Sequence, residues 1–558
     1  MKKKVVPVLI VIGLIFIIGI VGVISFFINR YTPTDEMEDL EAYYGLTEEG
    51  QAALIINDEI SDIPGIWRNE EVYMSYEAVW KFLDTQFYWD DSSQEMLLTT
   101  PEGIRQIAVG DTGYTTENGA PVLIADGEGK PYLAVHFIMQ VTDIECAVFS
   151  EPARAVIRTK WADLQQVQVT KDTAVRVKGG IKSKVLQNAA QGDTLIFLEA
   201  LDNWSKVSTE QGCIGYVENE ALTVPEDVPV RAVDTSLQFS QIIRDGKINL
   251  GWHQITNAEG NAALPDLVAN TSGLNVISPT WFKLEDNDGT VTSLASREYV
   301  EQAHAMGLEV WGLIDNFSDH VTTQEVLADG EKRASIIDQL MGFADSSGMD
   351  GINVDFEQLS QEGIPHFLQF LRELTLKAHE KNLVVSVDNP VPQNYNRYYK
   401  RGTQGKIVDY VIIMGYDEHY SGGEEAGSVS SLPFVEDGIR QTLKEVPAEK
   451  VINAIPFYTR VWTETFGQEL PTSEVLSMDG ADRYIQEHQM AKTWDAKLGQ
   501  NVAISENDAA RYTIWVEDEQ SIEEKMKVIQ SYGLAGVAQW RLGLERSTVW
   551  EIINRYLK

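Results

Sequence analysis

From residue 247 onward, short apolar stretches alternate with amphipathic ones. Ile248–His253, Val276–Phe282, Glu309–Asp315, Gly351–Glu357, Leu383–Asp388, Tyr410–Tyr416, Val451–Tyr458 and Gly536–Trp540 are rich in β-branched and aromatic residues and have the length of buried strands. Between them Ser296–Met306, Glu331–Ser347, Pro365–Lys381, Phe434–Glu445 and Ser521–Tyr532 read as helices. Thr548–Tyr556 reads as a terminal helix, with Ser547 placed to cap its start. Strands alternating with helices predict an α/β fold, a (β/α)8 TIM barrel over residues 240–558. An insertion at about 462–515 interrupts it between strands 7 and 8. The competing arrangement is an open doubly wound sheet, which lacks its Gly-rich phosphate loop here.

The pattern before the barrel is different, and it predicts a multidomain chain. Lys2, Lys3 and Lys4 precede an uncharged apolar run, Val5–Ile28, closed by Asn29 and Arg30. Crossing a bilayer takes about 20 apolar residues. Residues 1–30 therefore read as a Lys-rich cytoplasmic tip and transmembrane anchor, single-pass in the cell membrane, with everything after it extracytoplasmic. A cleaved secretory signal is the alternative. The long apolar core, and the phenylalanines following Gly22 and Ser25, make a poor cleavage site. Residues 31–59 are acidic and read as a linker, with helical character from Asp35 to Leu54.

Residues 60–160 show short alternating stretches such as Val72–Met74, Met96–Thr99, Gln106–Val109 and Ala155–Arg158, with helices at Tyr76–Leu83 and Val135–Val141. This α+β module resembles the stalk-like N-terminal domain of copper amine oxidases, without copper ligands, which implies a structural or wall-contact role. Residues 165–224 read as an all-β unit with strands at Val167–Val169, Ala174–Val177, Thr194–Leu198, Trp204–Val207 and Ile214–Val217. Val175-Arg176-Val177, the Gly192-Asp193 turn, Trp204 and Gly215-Tyr216-Val217 resemble the bacterial Src-homology-3-like domain. That resemblance implies either contact with wall peptides or a spacer role.

Charge narrows the partners. The formal net charge is −39, which argues against nucleic acid and against a polybasic grip on anionic lipid. Hydrophobic residues at 44% are ordinary for globular protein. Cys146 and Cys213 fall in different modules and read as two isolated thiols. With no Cys or His spacing that would hold a metal, no metal or organic cofactor is implied.

The candidate chemistry sits in the fourth barrel strand, Asp350-Gly351-Ile352-Asn353-Val354-Asp355-Phe356-Glu357. Side chains alternate along a strand, so Asn353, Asp355 and Glu357 share one face, at steps of roughly 6.5 Å. Burying two carboxylates and an amide there costs free energy unless they are paired or used. Asp350 is out of phase with them. In such barrels the carboxyl ends of the strands form the active site. Those ends here carry Trp252-His253, Trp281, Asp315-Asn316, Asp388-Asn389, Tyr416-Asp417, Tyr458, Arg460 and Trp540. Aromatic faces suit sugar rings, and carboxylates and amides suit their hydroxyls.

These motifs resemble glycoside hydrolase family 18, the chitinase-like family. Its fourth-strand pattern D-x-x-D-x-D-x-E is matched by Asp350, Asn353, Asp355 and Glu357, and its sixth-strand M-x-Y-D by Met414, Tyr416 and Asp417. Its eighth strand ends in a Trp, here Trp540, and Ile455–Arg460 resembles its seventh. The resemblance implies substrate-assisted retaining hydrolysis, in which the sugar's own 2-acetamido oxygen is the nucleophile. It assigns Glu357 as acid and then base, Asp355 as partner of the acetamido N–H, and Tyr416 as donor to the acetamido oxygen. Trp540, Met414 and Asp417 would hold the reacting sugar, and Trp252, Asn316, Tyr458 and Arg460 are further substrate-binding candidates. Asn353 departs from the pattern, where an Asp shares a proton with residue 355. The expectation is that the Asn353 amide donates to Asp355 and eases its ionisation. Asn at this place resembles members acting on bacterial peptidoglycan and spore cortex. The expected function is extracytoplasmic hydrolysis of β-1,4 bonds in an N-acetylglucosamine-containing polysaccharide, with peptidoglycan ahead of chitin. A wall protein that binds carbohydrate without turnover is the alternative.

Overall fold

The computed structural model describes residues 5–83, 86–232 and 239–558. The chain divides into two compact units, Met1–Thr85 with Ile107–Leu237, and Gln86–Gln106 with Gln238–Lys558.

In the first unit, Val5–Tyr31 is one continuous helix, and its portion Ile10–Tyr31 is long and apolar enough to cross a membrane. The segment after it is not the linker that its acidic composition predicts. Its main chain bonds to the all-β part of the unit, from Thr34 N to Ile181 O and from Glu38 N to Val185 O, both at 2.8 Å. Only Leu40–Tyr44 is helical, with Asp39 capping its start. Gln51–Ile56 then becomes a strand, parallel to Ala153–Arg158. The helical expectation for Asp35–Leu54 fails because apolar residues at 52–56 are buried in a sheet on both faces. The strands between Gln165 and Asp227 form a seven-stranded sheet around Val167, Val175, Leu195, Val207 and Val217. A strand missing from the sequence reading, Val185–Ala189, lies at its edge.

The second unit is built on eight parallel strands: β1 (Ile248–His253), β2 (Val276–Leu284), β3 (Glu309–Asp315), β4 (Gly351–Asp355), β5 (Val384–Pro390), β6 (Tyr410–Met414), β7 (Val451–Pro456) and β8 (Gly536–Trp540). They pair in that order, and β8 pairs with β1, so the sheet closes into a barrel. Closure excludes the open doubly wound sheet. Leu250, Trp311, Leu313, Ile412 and Ile452 fill the interior, each buried at 1% exposure or less. Side chains of this size stabilise by about 1.5–3 kcal/mol each when buried. The terminal helix Thr548–Tyr556 begins after Ser547, whose side chain makes no capping bond.

Two features differ from the pattern read along the chain. The insertion is a five-stranded antiparallel sheet from Tyr458 to Val516, with a helix at Met478–Glu487. Tyr458 and Arg460 therefore belong to its first strand, Tyr458–Thr465, and β7 stops at Pro456. The second feature is the ribbon at Phe87–Asp90 and Glu95–Thr100, which the sequence groups with the 60–160 module. It packs instead on the barrel helices α1 (Gly330–Ser347) and α2 (Ile364–Glu380). Arg333 of α1, 1% exposed, bonds Asp90 at 2.9 Å and Glu373 of α2 at 3.1 Å. Tyr88 Oη meets His366 Nδ1 at 2.6 Å, and Thr99 hydrogen bonds Gln369.

Candidate active site

Strand β4 ends at Asp355, two residues earlier than the alternation predicts. Glu357 lies in the turn that follows, where Gln358 takes a left-handed φ of 54°. The Asn316 side chain acts there as an extra strand partner. Its Nδ2 donates to Glu357 O and its Oδ1 accepts from Glu357 N, each at 3.0 Å. Nδ2 also donates to Thr323 Oγ1 at 2.8 Å. Asn316 thus holds the main chain of Glu357.

Below the rim, Asn353 is fully buried and all its polar positions are used. Its Oδ1 accepts from Trp252 Nε1 at 2.9 Å and Ser278 Oγ at 3.2 Å. Its Nδ2 donates to Ser386 Oγ at 3.1 Å and Asp388 Oδ1 at 2.9 Å. The expected Asn353–Asp355 bond is absent, because the amide is turned toward β5. Trp252 is 1% exposed and edge-on to Trp540 at 5.9 Å between ring centres. It supports Asn353 from the barrel interior. His253 and Trp281 are likewise buried, bonded to Tyr299 Oη at 2.9 Å and Asn261 Oδ1 at 2.8 Å.

Asp355 is buried, and its Oδ1 has no hydrogen-bond partner among the described residues. Burial, then the charges of Asp388, Glu357 and Asp315, push its pKa far above the ordinary carboxylate range. Asp388 is raised in the same way, first by burial and then by Glu357, against the Asn353 bond that lowers it. The Asn353 amide gives Asp355 no direct help, because it donates to Asp388 instead. Replacing an acid at 353 removes one carboxylate, but β5 supplies another. Glu357 is raised too, first by burial, then by Asp417 and Asp315.

The remaining candidates come from β6, the insertion and β8. Tyr416 is half-buried, and burial followed by Asp355 and Asp388 keeps its phenol protonated. Asp417, exposed and at a φ of 56°, accepts from Tyr458 Oη at 2.6 Å and lies 3.8 Å from Arg460 Nη2. Met414 and Trp540 are half-buried at the ends of their strands. Asp315 and Asp388 are site residues that strand reading left unassigned. A hydrophilic residue ending an apolar strand was their only signal, since neither lies in a motif.

Carboxyl groups whose pKa values are raised by burial and by one another, at the mouth of a TIM barrel, suit an acid–base hydrolase of the glycosidase kind. The sequence matches Glycosyl hydrolases family 18 over residues 253–545, more than half of the 558-residue chain. The chain belongs to that family and is an O-glycosyl hydrolase by class. It is 26% identical over 298 residues to the Uncharacterized glycosylase YvbX of Bacillus subtilis (strain 168), an alignment covering 51% of this chain and 85% of the relative. It is 26% identical over 254 residues to the Cortical fragment-lytic enzyme of the same organism, covering 43% of this chain and 58% of the relative. Among solved structures it resembles the Bacillus cereus spore cortex-lytic enzyme SleL, with TM-score 0.51 and 18% identity over 66% of this chain and 89% of the other. That likeness concerns the fold.

Proposed function

We propose that this protein is a membrane-anchored, extracytoplasmic glycosidase that cuts β-1,4 bonds next to N-acetylglucosamine in peptidoglycan. The observation that carries the reading is the buried, unpartnered Oδ1 of Asp355 beside Glu357 and Tyr416. A buried acceptor without a donor costs about 1–3 kcal/mol. A substrate N–H placed there recovers that cost, and a 2-acetamido group supplies one.

In the proposed reaction Glu357 gives its proton to the glycosidic oxygen as the C–O bond breaks. The acetamido carbonyl oxygen attacks the anomeric carbon from the opposite face and an oxazolinium forms. Asp355 accepts the acetamido N–H and balances the positive charge, while Tyr416 donates to the acetamido oxygen. Glu357, now ionised, takes a proton from water. The water oxygen adds to the anomeric carbon, and the acetamide is restored with retained configuration. Trp540 offers a face to the reacting sugar, with Met414, Asp417, Tyr458 and Arg460 around it.

Support for peptidoglycan comes from the cortex-directed names of the relatives and from Asn353 in place of the family acid. The apolar helix Val5–Tyr31 supports anchoring, and the sheet unit at 165–224 supports a wall-peptide or spacer role. Digestion of purified peptidoglycan by the full chain in detergent, read by mass spectrometry, tests the proposal. It predicts new reducing-end N-acetylglucosamine, abolished by Glu357→Gln. Cleavage of chitin alone moves the substrate to chitin, and glycan binding without any cleavage overturns the reading.

A further inference from the structure

We infer that Asp388 is a positioning residue of the reaction, the carboxyl group that shares and holds a proton for Asp355 across strands β4 and β5. The inference rests on the proposed function above for its catalytic part, and on geometry for the rest.

Three carboxylates stand side by side on three adjacent strands. Asp315 of β3 and Asp355 of β4 are register partners. Val354 pairs with Val387, so Asp388 of β5 lies one step further, at the level of Asp355. Neighbouring strands are about 4.8 Å apart, so the side chains crowd one another. Glu357 and Tyr416 also face this group, with Asp417 and its neighbour Arg460 beyond them, and Lys283 acts on Asp315, while no cation acts on Asp355 or Asp388 among the described residues. Like charges this close, out of water, cannot all ionise, and protons must be retained.

Asn353 determines where one proton goes. An indole N–H can only donate, so the oxygen of Asn353 must face Trp252 and its NH2 must face β5. The hydroxyls of Ser278 and Ser386, which can donate or accept, fit the orientation that the indole selects. Asp388 Oδ1 is thereby committed as an acceptor, which leaves Oδ2 as the atom able to carry a proton. Asp355, at the same level on the neighbouring strand, is the carboxyl group next to that proton, and its unpartnered Oδ1 is left for the substrate N–H. When Asp355 must carry negative charge against the developing oxazolinium, the shared proton moves to Asp388. No bond other than O–H is made or broken. An acid at 353 would do this from within β4, and here the function has moved one strand over.

The experiment uses the full chain in detergent with a fluorogenic N-acetylglucosamine oligosaccharide and with peptidoglycan. Asp388→Asn is isosteric and keeps the bond from Asn353. The expected result is a kcat lowered about tenfold with KM little changed, and a pH profile displaced by about one unit. The swap Asn353→Asp with Asp388→Asn returns the acid to β4 and the amide to β5, and should recover the wild-type profile. A side chain with only a packing role leaves the profile unmoved and gains nothing from the swap, and either result overturns the inference. Infrared absorption of protonated carboxyl groups gives a readout independent of turnover. The wild type should retain this band at neutral pH, Asp388→Asn should weaken it, and the swap should restore it. A band unchanged by Asp388→Asn also overturns the inference. If the wild type cleaves neither substrate, the proposed function fails while the infrared series still decides the proton sharing.

Discussion

Asn316 brackets Glu357 with two hydrogen bonds to a single residue's main chain, one donated and one accepted, both 3.0 Å long. Glu357 lies past the end of β4, with a left-handed residue behind it, so no strand pairing holds it. Asn316→Ala should free that turn. We expect kcat to fall about tenfold or more with a smaller change in KM, since the loss is one of orientation. Steady-state kinetics with both parameters resolved checks this, and an unchanged kcat refutes the bracket.

Asp417 raises the pKa of Glu357 by its negative charge, second only to burial. Asp417→Asn removes the charge and keeps an acceptor for Tyr458. Glu357 then gives up its proton at a lower pH. The reaction needs it protonated at the start, so the alkaline limb of activity should move toward acid. A pH profile of kcat/KM reads the shift, and a limb moving toward base would reverse the argument.

Trp252 meets Asn353 with its only polar atom. Trp252→Phe leaves Asn353 Oδ1 with Ser278 alone and opens space below Trp540. Lost hydrogen bonding and lost packing together should cost about 2–4 kcal/mol, measured as denaturant unfolding of the barrel. Sugar binding should weaken less than stability, because the indole does not face the cleft.

Arg333 is a buried cation shared between Asp90 and Glu373. Removing one partner strands part of its charge, so Asp90→Ala should destabilise the barrel unit by about 3 kcal/mol. A catalytic fragment begun at residue 240 lacks the whole ribbon and should melt well below the full chain. Calorimetry of both proteins tests this, and equal melting temperatures would show that the ribbon contributes nothing.

The legible part of this protein is local. β1, β3 and β8 match the stretches read from alternation to the residue, because a buried parallel strand needs an unbroken apolar run and turns on either side. The stretch before Glu357 stood out because Asn353 and Asp355, alternate residues of one strand, put polar groups on a single face of an otherwise apolar run. Boundaries slipped where the tertiary context overrode the pattern. Tyr458 continues an apolar run by composition, yet starts the strand of another sheet.

What the sequence alone determined is the order of strands and helices, the apolar N-terminal helix and the carboxylates available to the site. These follow from periodicity and from residue type, which are properties of neighbours along the chain. Only the tertiary structure decided which acid answers Asp355. The Asn353 amide has two possible faces, and the indole of Trp252, 101 residues away, selects one. The same holds for the ribbon at 87–100, whose partners Arg333 and His366 lie more than 240 residues further on. Contacts across such distances depend on barrel closure and strand register, and no local pattern encodes them.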